Sequence, residues 1–280
     1  MVCYVILHYQ NIEITTKCVQ TLLDITTESR LIIVDNCSPN GSGKVLERNY
    51  KSNDRVSVIL NDKNVGFAKG NNLGYRYAKK HFMPELMIVM NNDVIINDEK
   101  FEDIITDYIN ENKIDVLGPD IITVNGNHQN PLAYKPLSSK YIRRRIKFDK
   151  IKILLFKNNL ILGLYMAYKK EHPIQLRLEP PKEITGCILH GSCVIYNKRY
   201  IEAEEYAFLP VTYMYNEEAI LYDYLEYKGY RTGYCSAVSV LHMEGASTSK
   251  NDKEKILFRF RNNTKSLSQQ LNERNKYIRE

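Results

Sequence analysis

Residues 64–93, NVGFAKGNNLGYRYAKKHFMPELMIVMNND, constrain the fold of this chain more than any other stretch. A loop rich in glycine and asparagine opens it. Apolar residues then recur at helical spacing (Leu73 and Tyr77, with Ala78 and Phe82 beside them), and an apolar run from Leu86 to Met90 stops at Asn91-Asn92-Asp93. Loop, helix and buried strand in that order place Asp93 at the carboxyl end of a strand, the rim where open α/β sheets bind ligands. A carboxylate there suits a divalent cation that holds a phosphate-bearing substrate. The same tripeptide also reads as a polar turn closing a strand, and the stretch by itself fits both readings.

The pattern repeats on either side. Val2–Leu7 is a β-rich apolar run, Ile12–Leu23 has helical spacing, and Leu31–Val34 is a second buried strand ending on Asp35-Asn36. The turn Ser38-Pro39-Asn40-Gly41 leads to a helix from about Gly43 to Tyr50, and Val56–Leu60 is a third strand. A helix over Asp98–Asn110 and a strand at Ile114–Leu117, stopped by Gly118-Pro119, follow the opening stretch. Repeated strand–helix units predict a mostly parallel sheet with right-handed crossovers, so residues 1–124 read as a nucleotide-binding half. Regular alternation stops over residues 125–185, a basic, partly helical insert with Ile142, Ile146, Ile153 and Phe156 at near-helical spacing, where Pro173, Pro180 and Pro181 bracket a return to the core. Residues 186–280 complete one integrated domain. They read as a strand over Gly186–Tyr196, a helix over Asn216–Tyr227 capped by Asn216, one or two short strands within Arg231–Leu241 ending at His242, and a polar helix over Asp252–Leu271 packing through Ile256, Leu257, Phe260 and Leu267.

A chain of 280 residues has room for one such large α/β domain. The amino terminus, MVCYVILHYQ, reads as a strand rather than a leader, and the longest apolar run, Leu160–Tyr168, is broken by Gly163 and too short to span a bilayer. Six cysteines without a C-x-x-C pair point to neither a zinc site nor a disulfide framework, so reduced thiols and a cytoplasmic location are expected. Between Lys135 and Lys170 eleven basic residues face one acid, Asp149, while the formal net charge of the whole chain is only +6. The basicity is therefore a local patch on a chain that is otherwise net acidic, and such a patch suits an anionic partner.

Three strand ends carry polar residues: His8-Tyr9-Gln10, Asp35-Asn36 and Asn91-Asn92-Asp93. In a parallel sheet they lie along one rim and line a common crevice, with Asp35 accepting from a base or ribose and Asp93 holding a metal. Gly66, Gly70 and Gly74 let a backbone approach a nucleotide closely, although turn geometry and helix packing account for glycines equally well. In Asn216-Glu217-Glu218 the carboxylates suit a helix amino terminus, and they also supply what a general base must be, an ionised acceptor at a crevice. His190 and His242 read as readily as core histidines as ligands, while Gly191-Ser192 leaves room for a substrate.

The ordered string NVGFAKGNNLG, MNND, HGSC, NEEAILYDYLEYKGY, VLH and FRFRNN resembles family 2 glycosyltransferases, particularly a bacterial, rhamnosyltransferase-like branch, over about Met1–Leu271. The resemblance implies an α/β fold of GT-A type: a Rossmann-like, mostly parallel central sheet with flanking helices and an irregular acceptor-side half. It implies an inverting transfer from a nucleotide sugar. The reaction expected on that basis moves a hexose from a UDP- or dTDP-sugar to a hydroxyl of a glycan in surface (capsular) polysaccharide synthesis, and the basic patch suggests that the glycan is lipid-linked. Donor contacts then fall on Asp35, Asn36, Asn64, Gly66, Gly70, Asn71, Asn92 and Asp93, with His8 and Tyr9 beside them. Mg²⁺ or Mn²⁺ falls on Asp93, with His242 a metal or pyrophosphate contact, and the base falls on Glu218 next to Glu217; the acceptor is expected at His190, Gly191 and Ser192. The chain departs from the family pattern in having Asn-Asn-Asp for the metal motif, Glu-Glu for the usual Glu-Asp, and a basic stretch, Arg143–Lys157, without a counterpart.

For Lys135–Lys170 two readings stand: a solvated basic helix, or a face resting peripherally on an anionic membrane surface that brings the site to a lipid-linked acceptor. No nucleic-acid-binding motif accompanies the charge. A dinucleotide-dependent oxidoreductase would show G-x-G-x-x-G after the first strand, where this chain has His8-Tyr9-Gln10. A catalytically idle nucleotide-sugar-binding partner subunit of a glycosyltransferase pair would keep the cradle and lose the base.

Overall fold

The strands β1 (Val2–His8), β2 (Arg30–Asp35), β3 (Val56–Leu60) and β4 (Leu86–Asn91) pair in parallel, with β1 between β2 and β4. They are near-continuous apolar runs because both of their faces are covered, and successive side chains alternate between two cores. Tyr4, Ile6, Leu31, Ile33, Ile88 and Met90 face one core. Cys3, Val5, Ile32, Val34, Met87 and Val89 face the other. Helices α1 (Ile12–Ile25) and α2 (Ser42–Tyr50) cover the first face, and α3 (Phe67–Phe82) covers the second. Asn11 starts α1 by accepting a hydrogen bond from the Ile14 amide, 3.2 Å away.

The computed structural model describes residues 1–172, 175–244 and 252–277. Beyond β4 come β5 (Val94–Ile95), α4 (Phe101–Asn112), β6 (Val116–Thr123), α5 (Ser139–Leu155), α6 (Asn159–Glu171), β7 (Ile184–Thr185), β8 (Cys193–Asn197), α7 (Lys198–Ala203), α8 (Glu217–Lys228), β9 (Thr232–His242) and α9 (Asp252–Tyr277). The sheet runs β3-β2-β1-β4-β8-β6-β9-β5, with β7 on β9. Strand β8 is antiparallel to both β4 and β6, while β6 and β9 are parallel. The sheet is thus parallel in its first half and mixed in its second.

Several local expectations need correcting. The strand expected to stop at Gly118-Pro119 continues to Thr123. Its register against β9 shifts between Pro119 and Asp120, which lets a proline sit within it. Most of Gly186–Tyr196 is loop, and only Cys193–Asn197 is strand. The short strands expected before His242 are one strand of eleven residues, Thr232–His242. Asn216 precedes α8 but makes no side-chain cap. Its backbone is left-handed, with φ 68°, and its amide is used elsewhere. Pro173 lies outside the described residues. All six cysteines are free.

Helix α3 explains two of the motif glycines. A Cβ on Gly74 would stand 2.4 Å from Val5 Cγ1 and 2.8 Å from Val34 Cγ2, and one on Gly70 would stand 2.8 Å from Leu7 Cδ1. Small residues at this spacing let the helix lie close on β1 and β2. Alanine gains about 1 kcal/mol of helix propensity over glycine, but overpacking a closed core costs about 1–3 kcal/mol. We therefore expect Gly74→Ala to lower the urea midpoint. Gly163→Ala, in α6 with nothing within 4 Å of its added Cβ, should leave the midpoint unchanged or raise it.

Candidate active site

The parallel register sets the rim. His8 pairs with Asp35 across β1 and β2, and Leu7 pairs with Asn91 across β1 and β4, so the three polar strand ends stand side by side. Their side chains are joined by hydrogen bonds. Asn92 donates to Thr15 Oγ1 at 2.7 Å, and the ring nitrogens of His8 contact Thr15 Oγ1 at 2.6 Å and Ser42 Oγ at 2.8 Å. His8 is fully buried with both nitrogens engaged, and its burial lowers its pKa. Its place in the structure is beneath the rim, holding α1 and α2 to β1. The Asp35 carboxylate accepts from the Ser38 amide at 3.2 Å and lies where a Cβ on Gly43 would collide with it. Tyr9 is half-buried next to Tyr213.

Asn36 ties the end of β2 to the glycine-rich loop. Its amide donates to Asn64 Oδ1 at 3.2 Å and to the Gly66 carbonyl at 3.1 Å, and its oxygen accepts from the Val65 amide at 3.1 Å. Asn64 Oδ1 also accepts from the Gly66 amide and from the Tyr213 hydroxyl. Gly66 has φ 85°, a conformation that favours glycine, and a Cβ there would meet the Tyr213 carbonyl at 2.0 Å. One turn on, Asn71 donates to the Phe67 carbonyl, yet its buried Oδ1 has no hydrogen-bond partner. An unmet buried acceptor costs about 1–3 kcal/mol. Asn71 is therefore a group that a ligand's donor would satisfy. Gly70 faces the sheet and separates α3 from Leu7 and Asn36.

Across the rim, β5 pairs antiparallel with β9, which sets Val94 opposite His242. Asp93 Oδ1 and His242 Nε2 then stand 3.3 Å apart, both residues buried. Gln129 decides the tautomer. Its Nε2 donates to Glu244 Oε1 at 2.7 Å, so its Oε1 accepts from His242 Nδ1 at 2.7 Å. With the proton on Nδ1, the Nε2 lone pair faces a carboxylate oxygen. A proton or a metal cation satisfies two electron-rich atoms in that position, and the outer hydrogen bond is the support metal-binding histidines use. Asp93 and His242 thus fit a divalent cation. Among the described residues no group of three or more His, Cys, Asp or Glu side chains could hold one, so phosphate oxygens or water would complete its coordination.

The acceptor-side residues connect this pair to the glutamates. The rings of His190 and His242 meet edge to face at 5.9 Å, and His190 Nδ1 contacts Ser192 Oγ at 3.0 Å. Burial, reinforced by His242, lowers the His190 pKa to about 4, which leaves its ring neutral at ordinary pH. The Ser192 carbonyl accepts from the Asn91 amide, and the Gly191 amide approaches Glu218 Oε1 at 3.4 Å. A Cβ on Gly191 would stand 2.9 Å from that same carboxylate oxygen. Burial raises the pKa of Glu218, which lies among Leu189, Phe208 and Leu221. Glu217 is more enclosed. It accepts from Thr212 Oγ1 at 2.9 Å, and burial, then the neighbouring Glu218 charge, raises its pKa to about 7.

Sequence reasoning missed the residues that place these groups. Thr15 and Ser42 carry no motif signal, and Gln129 and Tyr213 are brought in by loops. Asn72, which exchanges two hydrogen bonds with the Phe208 backbone (2.6 and 3.1 Å), does stand in the Gly-Asn-Asn motif beside Asn71. Tyr215 and Asn216, with φ 74° and 68°, are consecutive left-handed residues just before the glutamates, a strained pair. Helix α9 holds them: Gln270 Oε1 accepts from Asn216 at 2.9 Å, and Ser266 donates to the Met214 carbonyl at 3.0 Å.

Comparison with known proteins places the chain by fold and family. Over 240 residues the chain is 24% identical to the low-salt glycan biosynthesis hexosyltransferase Agl10 of Haloferax volcanii, covering 85% of this chain and 67% of that protein. Two solved structures share its fold. Staphylococcus aureus TarS 1–349 has a TM-score of 0.53 at 16% identity, over 93% of this chain and 70% of that one. The mannosyltransferase PcManGT from Pyrobaculum calidifontis, in complex with GDP-Man and Mn²⁺, has a TM-score of 0.54 at 10% identity, over 99% and 73%. The sheet is that of the GT-A glycosyltransferases. With the description "Glycosyl transferase family 2" matched over residues 3–172, a shorter span than the motif string suggests, the chain belongs to glycosyltransferase family 2.

Proposed function

We propose that this protein transfers a hexose from a UDP- or dTDP-sugar to a hydroxyl of a lipid-linked glycan, with inversion, in the synthesis of a surface polysaccharide. The observation that carries the reading is the continuous path from Asp93 and His242 through His190 and Ser192 to Glu218, whose carboxylate comes close to the backbone of Gly191 because that residue has no Cβ. Asp35, Asn36, Asn64 and Asn71 border the nucleoside end of the donor. Asp93 and His242 would hold Mg²⁺ or Mn²⁺, which when bound supplies Lewis-acid neutralisation of the diphosphate. The GDP-Man and Mn²⁺ of PcManGT, and the UDP and Mn²⁺ of the GalNAc-T7 crystal structure (TM-score 0.55 at 12% identity), support a nucleotide-sugar donor with a divalent cation. A glycan acceptor is supported by the hexosyltransferase relative.

Glu218 takes the proton of the acceptor hydroxyl while that oxygen bonds to the anomeric carbon. The carbon–oxygen bond to the diphosphate breaks on the opposite face, and its electron pair leaves with the nucleotide. The half-buried setting raises the basicity of Glu218, as a base working near neutrality requires. Glu217, enclosed and bonded to Thr212, serves instead to hold the start of α8.

Removing a positioned base lowers rates by about 10²–10⁴. Glu218→Gln should therefore lose transfer to that extent while still binding nucleotide in a thermal-shift titration with Mn²⁺. Transfer by Glu218→Gln at the wild-type rate would exclude Glu218 as the base. Donor binding without transfer by the wild type, across a panel of nucleotide sugars and acceptors, would instead indicate an idle partner subunit. Glu217 has a different signature. Its folded pKa lies above its ordinary 4.5, so its contribution to stability is complete below that value and is lost as pH rises through about 7. Urea midpoints measured from pH 4.5 to 8 should fall less steeply for Glu217→Gln than for the wild type.

A further inference from the structure

We infer that the α5–α6 hairpin seats the enzyme on an anionic bilayer by inserting an apolar ridge between its lysines, not by charge alone. Thirteen of the eighteen exposed large apolar side chains among the described residues fall between Leu132 and Leu178. On α5, Phe148, Ile151 and Leu155 follow one outward stripe. On α6, Leu160, Leu164 and Tyr168 recur every fourth residue, with Leu160 72% and Leu164 64% exposed. The opposite faces are used inside the protein. Ile142 and Asp149 of α5 are buried, Asp149 bonds Arg145 and Asn263 of α9, and Phe156 and Leu162 pack on Phe260. Along the outward ridge the ring contacts are local ones on the same helices, Arg144 over Phe148 at 5.3 Å and His172 stacked on Tyr168 at 4.3 Å, while Ile151, Leu155, Leu160 and Leu164 stay exposed.

Charge selects the occupant. Lys147 and Lys150 border the α5 stripe and Lys169 and Lys170 border the α6 stripe, within a segment that has eleven basic residues and one acid. Two copies of such a face repel each other, whereas an anionic lipid surface accepts both the cations and the leucines. Among the described residues no helix is long and apolar enough to cross a membrane, so these helices would lie in the interface plane. The hairpin is also rooted at the site. Gln129, on its entering loop, contacts His242, and the Arg177 carbonyl, on its return, accepts from the His128 amide at 2.7 Å. Docking there would bring the site to the membrane face, which rests on the proposed lipid-linked acceptor.

Sedimentation of the full chain with phosphatidylcholine vesicles, with or without phosphatidylglycerol, tests this without donor or turnover. We expect binding to the anionic vesicles that weakens with salt and is slight with phosphatidylcholine alone. Each basic residue at such a surface is worth about fivefold in affinity. The Lys147, Lys150, Lys169 and Lys170→Gln variant should therefore bind roughly 10²–10³-fold more weakly. Ile151→Ser with Leu160→Ser and Leu164→Ser should lose roughly tenfold or more at constant charge, while keeping donor binding and transfer to a soluble acceptor. Absence of wild-type binding at low salt would overturn the inference. So would undiminished binding of the serine variant, or self-association of the wild type that the serine variant abolishes. Vesicle binding by Glu218→Gln equal to the wild type would support a surface that acts independently of catalysis, so a failed transfer assay would leave it standing.

Discussion

Two residue pairs of antiparallel sheet, Val94 with His242 and Ile95 with Leu241, carry the rest of the site. The chain leaves β4 at the rim, turns through Asn92 and Asp93, and is caught at once by the end of β9. That pairing brings together a carboxylate and an imidazole far apart in sequence, 3.3 Å from one another and shielded from water. In such a setting their electrostatic demand for a cation is far stronger than at a solvated surface. Gln129 and Glu244 then fix which nitrogen is free. Without the β5–β9 contact Asp93 would be an ordinary turn residue.

The second half of the site depends on a loop held under strain. Residues 207–216 cross over the start of α3, where Asn72 grips the Phe208 backbone and the Tyr213 carbonyl accepts from the Phe67 amide at 2.9 Å. The loop ends in two left-handed, non-glycine residues before Glu217 and Glu218. Such a conformation costs about 1–3 kcal/mol per residue and persists only where surroundings over-determine it. Here α9 supplies the restraint through Gln270 and Ser266, and Arg274 locks α9 to α8 by two bonds to Asp223, at 2.6 and 2.7 Å. The same helix packs on α5. The site's glutamates and the exposed basic hairpin are therefore fastened to one rigid strut.

How much of this the sequence discloses depends on how local the cause is. The parallel half is legible because each strand is a closed apolar run and each helix has its own periodic face. Val56–Leu60 and Leu86–Met90 emerge almost residue for residue, since each is a short, mainly apolar run, Leu86–Met90 fully buried and Val56–Leu60 at the sheet edge bounded by polar residues. The mixed half is harder to read. Pro119 looks like a stop, but a register shift accommodates it. GCILHGSC looks like a strand, but all of it before Cys193 is loop, which carries His190, Gly191 and Ser192 to the rim.

By itself the amino-acid sequence determined the family, the alternation of strands and helices, and the identities of the polar groups at Asp35, Asp93, Glu218 and His242, because motifs and hydrophobic period are properties of neighbours along the chain. Tertiary structure alone decided what each group faces. It buried His8 beneath the rim, turned Gly70 and Gly74 toward the sheet, left Asn71 Oδ1 unsatisfied, and set Glu218 rather than Glu217 beside Gly191. Those outcomes follow from strand register and from contacts between elements tens of positions apart, which no local pattern encodes.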